Sequence, residues 1–221
     1  MRSAWLIVGI TCAAATSHAD HPPIEGRVAV GVRASRTAGI QDFLVGDTSS
    51  PVRGAVDGIV GVRFGRFLVG VRAGIATPLR YNSTPQADSG ETVPVTFSTV
   101  YPVDLGIAAV MDTGGGVWVS AWLGATLAFI HASSPAQHVD SIAFSGDIAA
   151  TSSRDHNTSL GFGIALGYDL VRTVHGRFAG FAAIDVEGIG GIPIRDDQGP
   201  IGDASNGLSC ESLTLGVAYA Y

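Results

Sequence analysis

Apolar and polar residues alternate in eight short segments of this chain. In the segment "LGFGIALGYDL", residues 160–170, every even position carries a large apolar or aromatic side chain, and every odd position carries Gly, Ala or Asp. This period of two is typical of a β-strand with one apolar face. The alternating segments are residues 27–35, 52–64, 67–75, 103–110, 117–129, 160–170, 178–188 and 213–221. They predict an all-β chain of eight antiparallel strands.

The connections between these segments alternate in length. Three short turns are predicted at residues 65–66, 111–116 and 171–177. Long, polar, acidic loops are predicted at residues 36–51, 80–92, 132–157 and 191–211. Short connections at one end and long ones at the other are typical of bacterial outer-membrane barrels. The pattern therefore predicts an up-and-down transmembrane β-barrel with short periplasmic turns and long extracellular loops.

The two faces of the predicted strands indicate which side meets lipid. The less apolar face is mostly Gly, Ala, Ser and Thr with a few charges, which suits a narrow interior, although Trp118 and Trp122 also fall on it. A soluble sandwich or lipocalin-like barrel would instead turn its large apolar side chains inward. Aromatic residues gather near the segment ends: Phe64, Phe67, Tyr168, Phe178, Tyr219 and Tyr221 by the turns, and Tyr81, Phe97, Tyr101 and Phe129 by the loops. Such bands predict two girdles at the membrane–water interfaces.

Composition fits a membrane barrel and argues against a nucleic-acid partner. Hydrophobic residues make up 46% of the 221 residues and charged residues only 14%, against about 25% charged in typical soluble domains. All 13 basic residues are arginine, and 19 acidic residues give a net charge of −6. Binding to nucleic acid requires a basic surface.

The N-terminal residues predict export. Arg2 precedes an apolar stretch at residues 4–16, and "SHA" at residues 17–19 provides small residues for cleavage. We predict a signal peptide at residues 1–19 and a barrel domain at residues 20–221. A lipid-modified Cys12 is the alternative to this cleavage. No later segment approaches 18 uninterrupted apolar residues, so no transmembrane helix is expected.

The segment "LTLGVAYAY", residues 213–221, alternates apolar residues and ends on an aromatic one. It resembles the C-terminal assembly signal of outer-membrane β-barrel proteins, and the whole pattern resembles the OmpA/OmpX-like class of small eight-stranded barrels. The resemblance implies location in the cell outer membrane and insertion by the barrel assembly machinery through the last strand. It also implies contact with outer-membrane lipid and lipopolysaccharide. We expect a monomer whose extracellular loops bind an unidentified ligand.

His131 and Ser133 are the candidate catalytic residues. Their His-x-Ser spacing near a strand end is similar to that of the barrel-type lipid A deacylases, in which a histidine activates a serine beside the lipid. Such a site also needs an acid to orient the histidine, and Asp140 and Asp147 are near in sequence. The family continues with Asn and a small residue, whereas "SP" follows here.

Other candidate sites have weaker patterns. The set His131, His138 and Asp140 matches no metal-ligand spacing. The set Asp196, Asp197 and Asp203 lacks the spacing of a calcium loop. The Gly-x-Gly in residues 160–167 lies within a strand and opens no helix, which argues against a nucleotide loop. We therefore expect no cofactor or metal, and an inert Cys210.

The inward positions predict an ion-paired lumen. Five inward arginines, Arg27, Arg33, Arg53, Arg63 and Arg72, are matched by five inward acids, Asp57, Asp104, Asp169, Asp185 and Glu187. Eight strands leave an interior just wide enough for side chains to fill. At Pro102, which lacks a ladder donor, we predict either a bulge or the start of the membrane segment at Val103.

These patterns favour a non-enzymatic outer-membrane barrel that acts as a membrane element and displays its loops. Two alternatives stay open: a lipid-modifying enzyme that uses His131 and Ser133, and a small pore.

Overall fold

The computed structural model describes residues 23–38, 47–48, 52–83, 96–140, 145–190, 194–196, 199–201 and 208–221. The predicted signal peptide lies outside these ranges. Within them, eight long antiparallel strands form the wall: β1 Ile24–Ala38, β2 Val52–Phe64, β3 Phe67–Ala76, β4 Thr96–Gly114, β5 Val117–Ser134, β6 Thr151–Thr173, β7 Gly176–Gly190 and β8 Leu208–Ala220. Consecutive strands pair along the chain, and β8 pairs with β1. The eight-stranded barrel predicted from the alternation is confirmed.

The strand register fixes how the barrel closes. A path through directly paired residues runs once around the wall through Ile24, Val62, Val69, Ala109, Ala121, Ile164, Ile184, Leu213 and Ala34. The path begins at position 24 and returns to β1 at position 34, an offset of ten residues. Side chains alternate between faces with a period of two. Because the offset is even, outward residues meet outward residues all the way around.

The outer wall is an apolar belt. Ile107 and Leu123 are directly paired across β4 and β5, and their side chains are 67% and 55% exposed. A continuous exposed surface of this kind is unfavourable in water but suits hydrocarbon. The predicted bands point outward: Phe64, Phe67, Tyr168, Phe178 and Tyr221 are exposed near the short turns, and Phe97, Tyr101 and Phe129 near the long loops. Tyr219 of the turn-side band is half-buried between the rings of Phe178 and Tyr221. The side chain of Tyr81 lies outside the described residues.

We call the two ends of the barrel the turn end and the loop end. The turn at residues 65–66 is confirmed as predicted, and the other two turns are tighter than predicted, at residues 115–116 and 174–175. Gly65 has φ of +60°, as the first position of a two-residue hairpin turn of the Gly-X type requires. The predicted turns at residues 111–116 and 171–177 were too long, because strand pairing continues past the bulges at Asp112/Gly114 and Asp169/Val171.

The loop end is also more ordered than predicted. Strand β5 extends to Ser134 and β6 begins at Thr151, with a small hairpin of Gln137–Asp140 and Ser145–Ile148 between them. The predicted loop at residues 132–157 is therefore largely strand. Likewise, Leu79–Ser83 continues the wall beyond β3. Where strands extend above the membrane, their pairing requires backbone hydrogen bonds but no apolar face. The alternation of apolar and polar residues therefore does not reveal these parts of the strands.

Other short strands lie in the predicted loops. Asp47–Thr48 pairs with Leu79–Ser83, and Ile194–Asp196 pairs with Gly199–Ile201. Among the described residues, no helix is long and apolar enough to cross a membrane.

Pro102 lies inside β4, and the ladder to β5 passes it without a shift, with Pro102 opposite Ala128. The irregularity is in the neighbouring strand. The register changes from Ile75 opposite Val103 to Leu79 opposite Val100, so this stretch has one residue more than its partner. A bulge was therefore predicted at the right level of the wall but on the wrong strand.

Candidate functional site

The middle of the lumen holds a network of buried charges, which we call the central network: Arg33, Arg53, Arg72, Asp57, Asp104, Asp185 and Glu187. Arg33 is 1% exposed and is hydrogen-bonded to Glu187. Its guanidinium also lies 3.6 Å from an Asp185 oxygen and 3.9 Å from an Asp104 oxygen. Arg72 is hydrogen-bonded to Asp57, and its guanidinium lies 3.6 Å from an Asp104 oxygen and 3.8 Å from an Asp185 oxygen. The network joins β1, β2, β3, β4 and β7 across the barrel.

Neutral donors complete the central network. The Trp122 indole N–H donates to an Asp185 carboxylate oxygen at 2.7 Å, and the Thr126 hydroxyl donates to Asp104 at 2.8 Å. Arg53 donates to the Ser35 hydroxyl at 2.8 Å and lies 4.0 Å from Glu187. Three guanidinium groups thus face four carboxylates, a formal charge of −1.

A second cluster lies at the turn end: Glu25, Arg27, Arg63, Asp112, Asp169 and Arg177. Arg63 donates to Asp112 at 2.9 Å and to Glu25 at 2.9 Å. Arg177 donates to Glu25 at 3.2 Å and lies 3.5 Å from Asp169. We call this the turn-end cluster. The prediction of one set of five arginines and five acids is corrected to two separate networks, and Glu25, Asp112 and Arg177 were missed.

Apolar layers separate and cover the charges. Along β4 the inward residues run from Asp112 at the turn end through Val110 and Asp104 to Val100 near the loops, so charged and apolar levels alternate. One layer contains Leu68, Val110, Trp118, Ala179 and Ala218, and the other contains Leu79, Val100, Ala128, Ile130, Ile189 and Cys210. A cavity of about 60 Å³ remains beside Trp118 and Trp122. The lumen is therefore filled in four levels.

The two lumenal tryptophans each support an arginine. The guanidinium carbon of Arg72 lies 3.9 Å from the centre of the Trp122 ring, and that of Arg27 lies 5.0 Å from the centre of the Trp118 ring. A cation over an aromatic face is attracted by the ring quadrupole. Their inward direction was predicted from the sequence, but this role was not. The sequence did contain a signal for this role: β5 projects two large indole rings into a lumen into which other strands project arginines.

His131 and Ser133 lie on the outer face of β5, at its loop end. Ala132 between them is buried and faces inward. His131 lies opposite Thr99 and Arg154 in the ladder. The two candidate residues thus share a face of the strand.

No acid joins this pair among the described residues. Asp147 lies in the hairpin above the barrel, where its carboxylate contacts the His138 ring nitrogen Nδ1 at 2.8 Å. Asp140 lies in the same hairpin, opposite Ser145. The buried Nδ1 of His131 has no hydrogen-bond partner in the described part of the chain. The structure therefore does not bring a serine, a histidine and an acid together here.

The other candidates are placed as follows. In the described ranges, no group of three His, Cys, Asp or Glu side chains is arranged to hold a metal ion. The side chain of Asp196, and all of Asp197 and Asp203, lie outside the described residues. Cys210 is fully buried in the apolar layer nearest the loops, with its sulfur 3.9 Å from Arg53 Nη2.

Comparison with known proteins identifies the fold. No family model and no curated protein matches the chain. The crystal structure of Ail, the attachment invasion locus protein of Yersinia pestis, in complex with the heparin analogue sucrose octasulfate, superposes with a TM-score of 0.50 at 15% identity, covering 90% of this chain and 99% of Ail. The chain has the fold of the small outer-membrane β-barrels.

Two further solved barrels match less well. OprG from Pseudomonas aeruginosa gives a TM-score of 0.48 at 13% identity, covering 91% of this chain and 97% of OprG. Neisserial surface protein A gives 0.35 at 18% identity, covering 88% of this chain and 94% of that protein. The predicted fold, a small eight-stranded barrel, is confirmed by the strand ladder and by the superposition on Ail.

Proposed function

We propose that the barrel resides in the outer membrane, conducts no steady ion current and anchors its extracellular loops at the cell surface without a catalytic role. The filled, ion-paired lumen carries this proposal. An ion that entered would have to separate Arg33 from Glu187 and Arg72 from Asp57. Breaking such buried pairs leaves uncompensated charge, which is strongly unfavourable.

Planar-bilayer recording tests the closed lumen. Purified barrel, whose folding has been verified by its altered mobility on a detergent gel without boiling, should give little or no steady conductance. A parallel sample with Arg66→Gln, a change in an exposed turn outside the lumen, should behave identically. Large, stable single-channel currents from the unmodified barrel would favour the pore alternative instead.

We propose that the loops bind partners with a basic surface. Residues 36–51, 80–92, 132–157 and 191–211 contain 11 acidic residues and four arginines. Ail was crystallised with a heparin analogue, but a polyanion would be repelled by loops of this charge. Barrel-loaded vesicles should therefore bind an oligo-arginine probe more strongly than empty vesicles and should not bind heparin. The reverse preference would contradict the proposal.

The non-enzymatic role is supported by the surroundings of His131 and Ser133, since Asp147 pairs with His138. Acyl patterns of surface lipids should be identical in cells that express the wild-type barrel, cells that express Ser133→Ala and cells without the protein. Loss of an acyl chain that depends on Ser133 would establish the deacylase alternative.

For export and assembly we propose cleavage after Ala19 and insertion by the barrel assembly machinery through β8, as a monomer. Tyr221 continues the ladder, since its backbone N–H and carbonyl both bond to Gly26, at 3.0 and 3.2 Å. Mass spectrometry should find Asp20 as the first residue, whereas a fatty acid on Cys12 would contradict this. Tyr221→Asp should lower the amount of barrel in the outer membrane.

A further inference from the structure

Four polar side chains form a row across the outer wall near the loop end. The ladder places Arg80 opposite Thr99, Thr99 opposite His131, and His131 opposite Arg154. These residues come from Leu79–Ser83, β4, β5 and β6 and project on the outer face. Neighbouring strands are about 4.8 Å apart, so the two arginines are separated by roughly 14 Å along the row. We call these four residues the outer row.

The outer row carries an excess of positive charge. Arg80 and Arg154 are exposed, and neither forms an ion pair with any residue in the described part of the chain. Asp155 lies next to Arg154 in sequence but projects on the other face and accepts a hydrogen bond from the His156 backbone N–H. By contrast, Arg36, another outward arginine of the loop end, lies directly opposite Glu211.

The levels directly above and below the row contain few acidic residues. On the side nearer the membrane centre, the ladder pairs Tyr101 with Phe129 and Phe129 with His156. On the loop side, it pairs Asp47 with Asn82, Asn82 with Phe97 and Phe97 with Ser133, so one acidic residue of the described wall, Asp47, stands at this level. On a chain whose net charge is −6, this is a local cationic surface.

The depth of the outer row indicates what it faces. Tyr101 and Phe129 below it, and Phe97 above it, are each about half exposed on the outer face. Aromatic side chains of this kind gather at the level of the lipid headgroups. The row therefore faces sideways into the headgroup layer, where a soluble macromolecule would be obstructed by lipid. Arginine binds phosphate through a planar fork of two N–H donors.

We propose that the outer row binds the phosphorylated headgroup of lipopolysaccharide, the lipid A phosphates, in the outer leaflet. Arg80 and Arg154 at opposite ends of the row suit a disaccharide headgroup that carries a phosphate at each end. The Thr99 hydroxyl and the His131 ring between them supply further donors to the sugar and phosphate oxygens. This inference rests on the proposed residence of the barrel in the outer membrane.

Native mass spectrometry of the purified full-length barrel in detergent tests the proposal, with lipid A that carries two phosphates as the probe. Circular dichroism and gel mobility establish beforehand that each variant is folded. The double variant Arg80→Gln/Arg154→Gln should bind about tenfold more weakly or worse, because both charge-assisted contacts are lost. The double variant with lysine at both positions should bind at an intermediate strength, since it retains the charge but not the planar fork.

Two controls separate this surface from general attraction. Arg66→Gln removes the same charge at the turn end, on the other side of the membrane, and should bind as wild type does. Dephosphorylated lipid A should not distinguish wild type from the glutamine double variant. Equal binding of bisphosphorylated lipid A by wild type and the double variant would overturn the proposal. Displacement of lipid A by inorganic phosphate at the same concentration would overturn the assignment to lipid.

The lipid-binding proposal and the proposed function can be refuted separately. Binding is measured on folded barrel in micelles, so its failure refutes the lipid site alone. A conducting lumen or absence from the outer membrane refutes the proposed function, whatever the binding result.

Discussion

The guanidinium of Arg72 lies over the face of Trp122 at 3.9 Å, while the edge of the same ring donates a hydrogen bond to Asp185 at 2.7 Å. Asp185 in turn lies 3.8 Å from Arg72. The three side chains come from β3, β5 and β7, so this triangle connects walls that do not pair with one another directly. Both polar features of the indole, its negative face and its N–H, are used.

Trp122→Phe should destabilise the barrel because it retains a ring under Arg72 but removes the donor to Asp185. Trp118→Phe is the matched control, since the Trp118 indole N–H has no hydrogen-bond partner within the described residues. A hydrogen bond to a charged group contributes about 1.5–3 kcal/mol, and the two variants should differ by about that amount. Urea unfolding followed by circular dichroism measures the difference. Equal loss in both variants would show that the Asp185 bond adds nothing.

Arg33→Met should lower the free energy of unfolding by about 3–5 kcal/mol, because it leaves Glu187 buried without its partner. Adding Glu187→Leu restores the formal charge of the central network and should recover part of that loss. The coupling energy between the two changes is obtained by comparing the free energies of unfolding of the wild type, both single variants and the double variant. Additive losses would mean that the pair is not energetically coupled.

Gly61→Ala should impair folding of the barrel. Gly61 and Gly70 face each other across β2 and β3, and a Cβ on either would lie 2.6 Å from the Cα of the other. Gly54→Ala on the same strand is the control, because its Cβ would meet the Thr77 methyl carbon at an ordinary 3.7 Å. Refolding yield into detergent, read from the gel-mobility shift, should fall for the first variant only.

Salt should distinguish the two charge networks. Glu25 of the turn-end cluster is 12% exposed at its side chain, whereas Glu187 is 0% exposed. Glu25→Gln should lower the free energy of unfolding by less in about 1 M salt than at low salt, because the screening length falls to about 3 Å. The loss caused by Glu187→Gln should persist, because water and ions do not reach it. Unfolding curves at low and high salt give both values, and a matching salt effect on Glu187→Gln would indicate an open lumen.

The alternation of side chains was enough to predict the fold and the direction of most side chains. In residues 160–170 the even positions are outward and the odd ones inward, as the structure confirms. The inward arginines Arg33 and Arg72 and the inward acids Asp104 and Asp185 followed from the same rule. A period of two is a property of one strand and survives without knowledge of its neighbours.

The pairing of charges could not be predicted, because it depends on register and on the strand neighbours. Arg33 of β1 meets Glu187 of β7 only after the wall has closed with its ten-residue offset. Glu25, two positions before Arg27 and on the same face, could have been found by extending the alternation. Asp112 and Arg177 were assigned to turns and so were not counted as inward. The outer row needed the registers of four strands, which no single segment contains.

The even register offset with which the barrel closes limits which insertions and deletions the wall can accept during evolution. A single residue added in the middle of a strand would turn the remainder of that strand inside out, placing arginines in lipid and valines in the lumen. Single-residue irregularities in the described wall are accordingly near strand ends: Asp112/Gly114, Asp169/Val171, Gly188/Gly190 and the junction after Ile75. Loops can lengthen freely, while the wall can gain residues only in pairs or at its rims.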